Sequence, residues 1–233
     1  MTAASQKYIG RFAPSPTGPV HFGTLVAAVG SYLQAMTQNG DWLLRIDDVD
    51  TTRKVEGADV DIIRTLEAFG FQWSGDILYQ TQMTNAYETA LNQLIEQSLV
   101  FPCLCSRKQL AEYGGGTIYP GTCRSRRLPE SEEHSLRLIA EDITITFDDI
   151  VMGKQTQNIK TECGDFIIKR RDGLFAYQLA VVVDDALQGI TEVVRGTDLL
   201  DSTPRQIYLQ QLLGYPTPAY CHLPLAVDAA DNK

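Results

Sequence analysis

Pro19-Val20-His21-Phe22-Gly23-Thr24 places a histidine and a glycine at a turn that opens into an apolar, helix-periodic stretch. A helix starting at Thr24 leaves the backbone N–H groups around Gly23 and Thr24 unpaired at the positive end of its dipole, where phosphate groups bind. His21 could donate a hydrogen bond to a phosphate oxygen during transfer, and Gly23 lets a bulky group approach the backbone; a histidine packed at a loop end is the plainer reading. Arg11 closes the preceding extended stretch, and Arg45, Asp47, Asp48 and Asp50 close the next one. A guanidinium facing a carboxylate across a cleft suits an amino acid, one group for its carboxylate and the other for its ammonium. A solvated cluster of ion pairs is the alternative.

A second group is built for a metal. Cys103-Leu104-Cys105 and Cys123 offer three soft ligands in a stretch too poor in apolar periodicity to build its own core. Zinc accepts thiolates tetrahedrally, and its binding can supply the folding free energy such a stretch lacks. Tyr119, Cys163 and His134 all remain open as the fourth ligand. The spacing is not Cys-x-x-Cys, which argues against a redox pair. Two basic runs, Arg124-Ser125-Arg126-Arg127 and Lys169-Arg170-Arg171, could contact a phosphate backbone, though such runs are commonly only solvated faces.

The elements that must position these groups follow from periodicity. Tyr8–Ala13 reads as a strand, and Pro14, Pro16, Gly18 and Pro19 forbid regular structure after it. Leu25, Ala28, Val29, Tyr32, Leu33 and Met36 mark an amphipathic helix ending at Asn39-Gly40, and Trp42–Ile46 reads as a buried strand. Strand, helix and strand form a βαβ unit. Further helices are expected at about 56–69, 84–98 and 204–213, the last stopped by Gly214. Strands are expected between Leu136 and Ile150, and Phe166–Ile168, Tyr177–Val183 and Glu192–Val194 carry a buried-sheet texture. The expected fold is α/β: a Rossmann-like, doubly wound parallel sheet carrying a zinc-binding α+β insertion. Its divisions are residues 1–101, a first half of the α/β domain; 102–165, the insertion; and 166–233, the second half.

The 233 residues are 44% hydrophobic and 21% charged, which argues against disorder. A net charge of −9 excludes a uniformly basic nucleic-acid sleeve but leaves room for a local RNA contact. Five cysteines, an odd number, do not suggest a disulfide framework. No apolar run reaches the roughly 18 residues a membrane span needs, and Met1–Lys7 lacks the core of a signal peptide, so a cytoplasmic monomer is expected.

Together these residues carry a resemblance. Arg11-Phe12-Ala13-Pro14-Ser15-Pro16-Thr17-Gly18, followed by His21-Phe22-Gly23-Thr24, resembles the signature of the glutamyl branch of class I aminoacyl-tRNA synthetases, including its "HIGH" motif. Leu44–Asp50 is similar to that family's second block, and Phe175–Asp185 with Val194–Leu199 to its second Rossmann half. The resemblance implies a ligase that uses ATP with Mg²⁺ to activate glutamate. It implies glutamate contacts at Arg11, Ala13, Ser15, Asp47, Tyr177 and Arg195, ATP contacts at His21, Gly23 and Lys233, and catalytic roles for His21, Gly23 and Thr24. The two arginines suit the two substrate carboxylates, with neither assigned to a particular one.

Cys103, Cys105, Tyr119 and Cys123 are similar to the Zn²⁺ site of a short branch that lacks the anticodon-binding domain, which makes Tyr119 the fourth ligand. That branch activates glutamate without tRNA and attaches it to the queuosine of tRNA(Asp). Two features depart from the pattern. Asp47 stands where the family has Glu, and it is expected to reach the substrate ammonium through a backbone shift or a water. Lys233 stands where the "KMSKS" loop would open, and a chain stopping there is expected to adenylate slowly while keeping glutamate affinity. The rival readings are a catalytic portion of an ordinary glutamyl-tRNA synthetase charging the 3′ end of tRNA(Glu), another nucleotidyltransferase of the same fold, and a non-catalytic, zinc-stapled RNA-binding module.

Overall fold

A computed structural model describes residues 7–112, 118–125 and 133–226. The chain begins β1 (Ile9–Phe12), α1 (Phe22–Thr37), β2 (Asp41–Ile46), α2 (Ala58–Ala68), β3 (Leu78–Tyr79). β1 and β2 pair in parallel with Arg11 opposite Leu43, and β2 pairs in parallel with β3. α3 (Thr84–Glu96), β4 (Val100–Cys103), α4 (Arg107–Glu112), β5 (Ser135–Leu138), β6 (Thr144–Asp149), β7 (Gly153–Asn158) and β8 (Phe166–Lys169) follow. The chain then returns through α5 (Tyr177–Leu187), β9 (Glu192–Gly196), α6 (Thr203–Leu213) and β10 (Ala219–Leu223).

The second half forms the sheet β7-β6-β10-β9, parallel except at β7. Thr191 joins it to β1: its N–H donates to the Ile9 carbonyl and its Oγ1 accepts from the Ile9 N–H, each at 2.9 Å. The strands therefore run β3-β2-β1-β9-β10-β6-β7. The connection from β1 travels outward one way through α1, and that from β9 travels the other way through α6. Between these two strands lies the crevice where open α/β sheets place their ligands.

Helices cover both faces. One apolar cluster gathers Phe12, Trp42, Leu44 and Ile46 with Ala28 and Ala35 of α1 and Ile62 and Leu66 of α2. The other gathers α3, α5 and α6 through residues such as Leu91, Leu179 and Ile207. This agrees with the expected α/β, doubly wound class. Between the halves, β4-β5-β8 form a small antiparallel sheet, and β6 reaches into the main sheet beside β10, with Asp149 opposite Tyr220. Among the described residues no helix is long and apolar enough to cross a membrane.

Two local expectations need correction. Tyr177–Val183 is the start of a helix, not a strand. Leu179 to Asp185 are all buried, and a short apolar run of that kind looks the same to sequence whether it is strand or helix. The first helix begins at Phe22, before Thr24, because His21 caps it.

Candidate active site

Four elements converge at the crevice. Arg11 at the end of β1 is 4% exposed. Asp185 of α5 holds it, with Nε donating to Oδ1 at 3.1 Å and Nη2 to Oδ2 at 3.4 Å. Arg195 of β9 donates from Nε to His222 Nε2 at 3.0 Å, from Nη2 to Thr203 Oγ1 at 2.8 Å and from Nη1 to the Tyr177 hydroxyl at 3.4 Å. Tyr177 is the first residue of α5. Asp47 follows β2, and its N–H is anchored on the Pro14 carbonyl at 2.9 Å. These side chains, with Ala13, Ser15, His21, Gly23 and Thr24, line one cavity of about 840 Å³. Sequence reasoning did not single out Leu223 and Leu225, which form part of its apolar wall. Lys233 lies outside the described residues.

His21 is the N-cap of α1, its Nδ1 accepting from the Thr24 N–H at 3.3 Å. That acceptor role leaves Nε2–H as the ring's donor. Gly23 permits the arrangement, since a Cβ there would come within 3.3 Å of the imidazole. The first turn carries no acidic residue, so nothing in it cancels the positive end of the dipole.

Arg45 does not receive a ligand, contrary to the sequence expectation of a guanidinium facing the cleft. It is fully buried behind the cavity, with Nε donating to Asp47 Oδ1 at 2.7 Å and Nη1 to Asp185 Oδ1 at 2.7 Å and Gln188 Oε1 at 3.0 Å. One guanidinium thus orients Asp47 directly and Arg11 through Asp185. Asp184 lies 3.7 Å from the Arg45 Nε and accepts from the Tyr87 hydroxyl and from Gln80 Nε2, each at 2.8 Å. Burial is the largest influence on all three carboxyl groups. It raises Asp47 despite Arg45 and pushes Asp184 up to about 6, whereas Arg11 and Arg45 overcome it at Asp185 and hold that group below the usual range.

The remaining acids of the second block separate by role. Asp48 accepts from the Thr81 N–H at 2.9 Å, from its hydroxyl at 3.0 Å and from Lys54 at 3.1 Å. Asp50 pairs with Arg53 at 2.8 Å and Arg170 at 3.0 Å, beside a smaller cavity of about 150 Å³. The basic trio is likewise engaged: Lys169 with Glu88, Arg170 with Asp50 and Asp172, and Arg171 with the Leu104 carbonyl. Arg124 pairs with Asp165. Arg126 and Arg127 lie outside the described residues.

The Sγ atoms of Cys103, Cys105 and Cys123 lie within 4.8 Å of one another. The Tyr119 hydroxyl sits 3.5 Å from the Cys103 sulfur and 3.7 Å from that of Cys105, and Cys105 and Cys123 are 3.6 Å apart. A tetrahedral zinc with bonds of about 2.3 Å to sulfur and about 2.0 Å to oxygen needs ligand separations of roughly 3.5–3.8 Å. The donor set therefore fits zinc in type and spacing. Burial would raise the Cys123 thiol, but hydrogen bonds, chiefly from Tyr119, bring it down to about 7. Neither His134 nor Cys163 belongs to the cluster, and Cys163 bonds instead to Gln157 at 3.1 Å.

The family described as tRNA synthetases class I (E and Q), catalytic domain, matches residues 8–233. A protein of Dechloromonas aromatica named glutamyl-Q tRNA(Asp) synthetase is 54% identical over 97% of this chain and 77% of its own length. One of the same name from Aromatoleum aromaticum is 53% identical over 99% of this chain and 74% of its own. Among solved structures, a glutamate tRNA ligase of Elizabethkingia meningosepticum, in complex with its amino acid, superposes with a TM-score of 0.85 at 28% identity. The match covers 95% of this chain but 50% of that one, so this chain spans about half the length of that enzyme. Sequence and fold agree on the lineage: the chain belongs to the class I tRNA synthetases of the E and Q type, within the branch of the glutamyl-Q tRNA(Asp) synthetases.

Proposed function

We propose that this chain activates glutamate with ATP and transfers the glutamyl group to the queuosine base of tRNA(Asp), in the cytoplasm. The observation that carries the reading is the convergence of Arg11, Asp47, Tyr177 and Arg195 on one cavity beside the His21-capped helix. Two guanidiniums suit a substrate with two carboxylates, and Asp47 offers the charge its ammonium needs. Ala13 and Ser15 line the same wall and complete the amino-acid pocket.

ATP enters as its Mg²⁺ complex, with its phosphates over the α1 N-terminus. An oxygen of the glutamate α-carboxylate attacks the α-phosphorus as the bond to pyrophosphate breaks. Positioning and charge stabilisation do most of the work in such a transfer. His21 Nε2–H and the Gly23 N–H at the start of α1 meet the charge that develops on the phosphate oxygens, while the Thr24 N–H holds the His21 ring. A role for Lys233 toward the departing pyrophosphate rests on the family pattern alone, since that residue lies outside the described ones. A queuosine hydroxyl then attacks the carbonyl carbon of the adenylate, loses its proton, and AMP leaves.

Cys103, Cys105, Tyr119 and Cys123 would hold Zn²⁺, which when bound cross-links the loop that follows β4. Their role is to shape the segment and not to act on substrate. The purified protein is expected to carry one equivalent of zinc by elemental analysis, and Cys123→Ser to lose it together with protease resistance. Zinc-free protein with the same resistance would remove the assignment.

The deciding experiment incubates the protein with radiolabelled glutamate, ATP and tRNA(Asp) with or without queuosine. Label is expected on the modified RNA only. Label on the 3′ end of tRNA(Glu) would place the chain with the ordinary glutamyl enzymes, and no glutamate-dependent ATP–pyrophosphate exchange would leave only an RNA-binding role.

A further inference from the structure

His222 is fully buried on β10 and does not line the cavity, yet it contacts the guanidinium of Arg195, which does. Its Nδ1 lies 2.6 Å from Asp149 Oδ2 and its Nε2 lies 3.0 Å from Arg195 Nε. Arginine can only donate, so Nε2 must be the acceptor and the ring proton sits on Nδ1, directed at Asp149. Asp149 is itself fixed: it accepts from the N–H groups of Val151 at 3.0 Å, Met152 at 2.8 Å and His222 at 3.1 Å. The imidazole stacks on Tyr220, with ring centroids 6.1 Å apart. Each link is buried, and Thr203 Oγ1 lies 3.2 Å from the same Nε2.

We infer that Asp149 and His222 form a positioning relay for Arg195, through which strand β6 sets the orientation of a substrate-binding cation. The inference rests on the proposed glutamate site. Its logic shows in the contrast with Arg11, whose Nε meets a carboxylate, Asp185. At Arg195 the atom meeting Nε belongs to a neutral ring, so orientation is imposed there without an anion at that contact cancelling the charge meant for the ligand. Thr203 Oγ1 takes Nη2 at 2.8 Å, so two of the three guanidinium nitrogens are held by groups outside the cavity lining, and the third, Nη1, reaches the cavity-lining Tyr177 hydroxyl at 3.4 Å.

The test compares His222→Phe, His222→Asn and His222→Gln with Arg195→Ala in glutamate-dependent ATP–pyrophosphate exchange, reading the KM for glutamate, the KM for ATP and kcat. Phe keeps the ring and removes both polar atoms. Asn can donate to Asp149 but does not reach Arg195, whereas Gln can place an acceptor near Nε. Loss of a hydrogen bond to a charged group corresponds to about a tenfold to hundredfold change. His222→Phe and His222→Asn are expected to raise the glutamate KM by that amount, with ATP KM and kcat little changed, and His222→Gln to recover most of the loss. Should His222→Phe fail to fold, the Asn and Gln pair still decides. A glutamate KM unmoved by His222→Asn while Arg195→Ala raises it would overturn the relay and leave the glutamate site standing. Equal increases for both substrates, or Gln no better than Asn, would make His222 merely structural. If Arg195→Ala leaves the glutamate KM unchanged, the glutamate-site reading itself fails and the relay falls with it.

Discussion

At the scale of residues, the site separates groups that face the cavity from groups that aim them. His21 faces it, and its ring is held by its own helix, through the Thr24 N–H. In the proposed reaction its removal takes away a donor directed at developing charge, worth about 2–4 kcal/mol, so His21→Ala is expected to slow adenylate formation by one to three decades with little change in glutamate affinity. Rapid-quench measurement of adenylate, beside glutamate titration, separates these effects; a matching loss of affinity would assign His21 to structure. Arg45 lies wholly behind the cavity and compensates Asp47, Asp184 and Asp185. Removing one partner of a buried ionic group typically costs about 3–5 kcal/mol. Arg45→Met is therefore expected to lower the denaturant midpoint strongly, and an unchanged midpoint would refute its role as the compensating charge.

At the scale of elements, the close approach of α1 to β10 matters most. A Cβ at Gly30 would fall 2.3 Å from Leu223 Cδ1, and Leu223 is part of the cavity wall. Leucine can move, but its displacement has to be absorbed in the wall of the cavity, where the proposed function places ATP. Gly30→Ala is expected to raise the KM for ATP several-fold while shifting the thermal midpoint little. A variant with normal ATP KM and a large loss of stability would show that the helix, not the side chain, gives way. α1 also packs on β1 and β9, and His21 and Arg195 line the one cavity.

At the scale of the whole molecule, two buried groups titrate in opposite senses. Burial is the main influence lowering His222 from its ordinary 6.5, against Asp149, which raises it; Arg195 and Arg11 add to the lowering, and Tyr220 and Thr203 are the other groups packed on the ring. A histidine lowered on folding contributes stability that is present above 6.5 and is lost as pH falls through its folded value. Asp184, raised from 3.8 to about 6, does the reverse: its contribution is full below 3.8 and is lost as pH rises through about 6. Unfolding free energies of the native protein and His222→Gln are thus expected to diverge below pH 6.5, the native protein falling more steeply. Parallel curves would mean that His222 does not become charged on unfolding in that range.

Much was legible from one dimension. Arg11 through Gly18 and the His21–Thr24 turn lay together in sequence because a strand-to-helix connection is local, and Cys103, Cys105, Tyr119 and Cys123 span only a short loop. Apolar periodicity located the first helix and its flanking strands for the same reason. It could not distinguish the buried helix at Tyr177–Leu187 from a strand, because burial on all sides erases the period. Nor could it say that Arg45 turns inward, that Asp185 holds Arg11, or that Asp149 and His222 stand behind Arg195. Those pairings join residues 27 to 174 positions apart. The residue types and their local spacing therefore specified which chemistry was available. Only the tertiary fold decided which charges meet a ligand and which are spent on one another, because desolvation and ion pairing depend on who is buried beside whom.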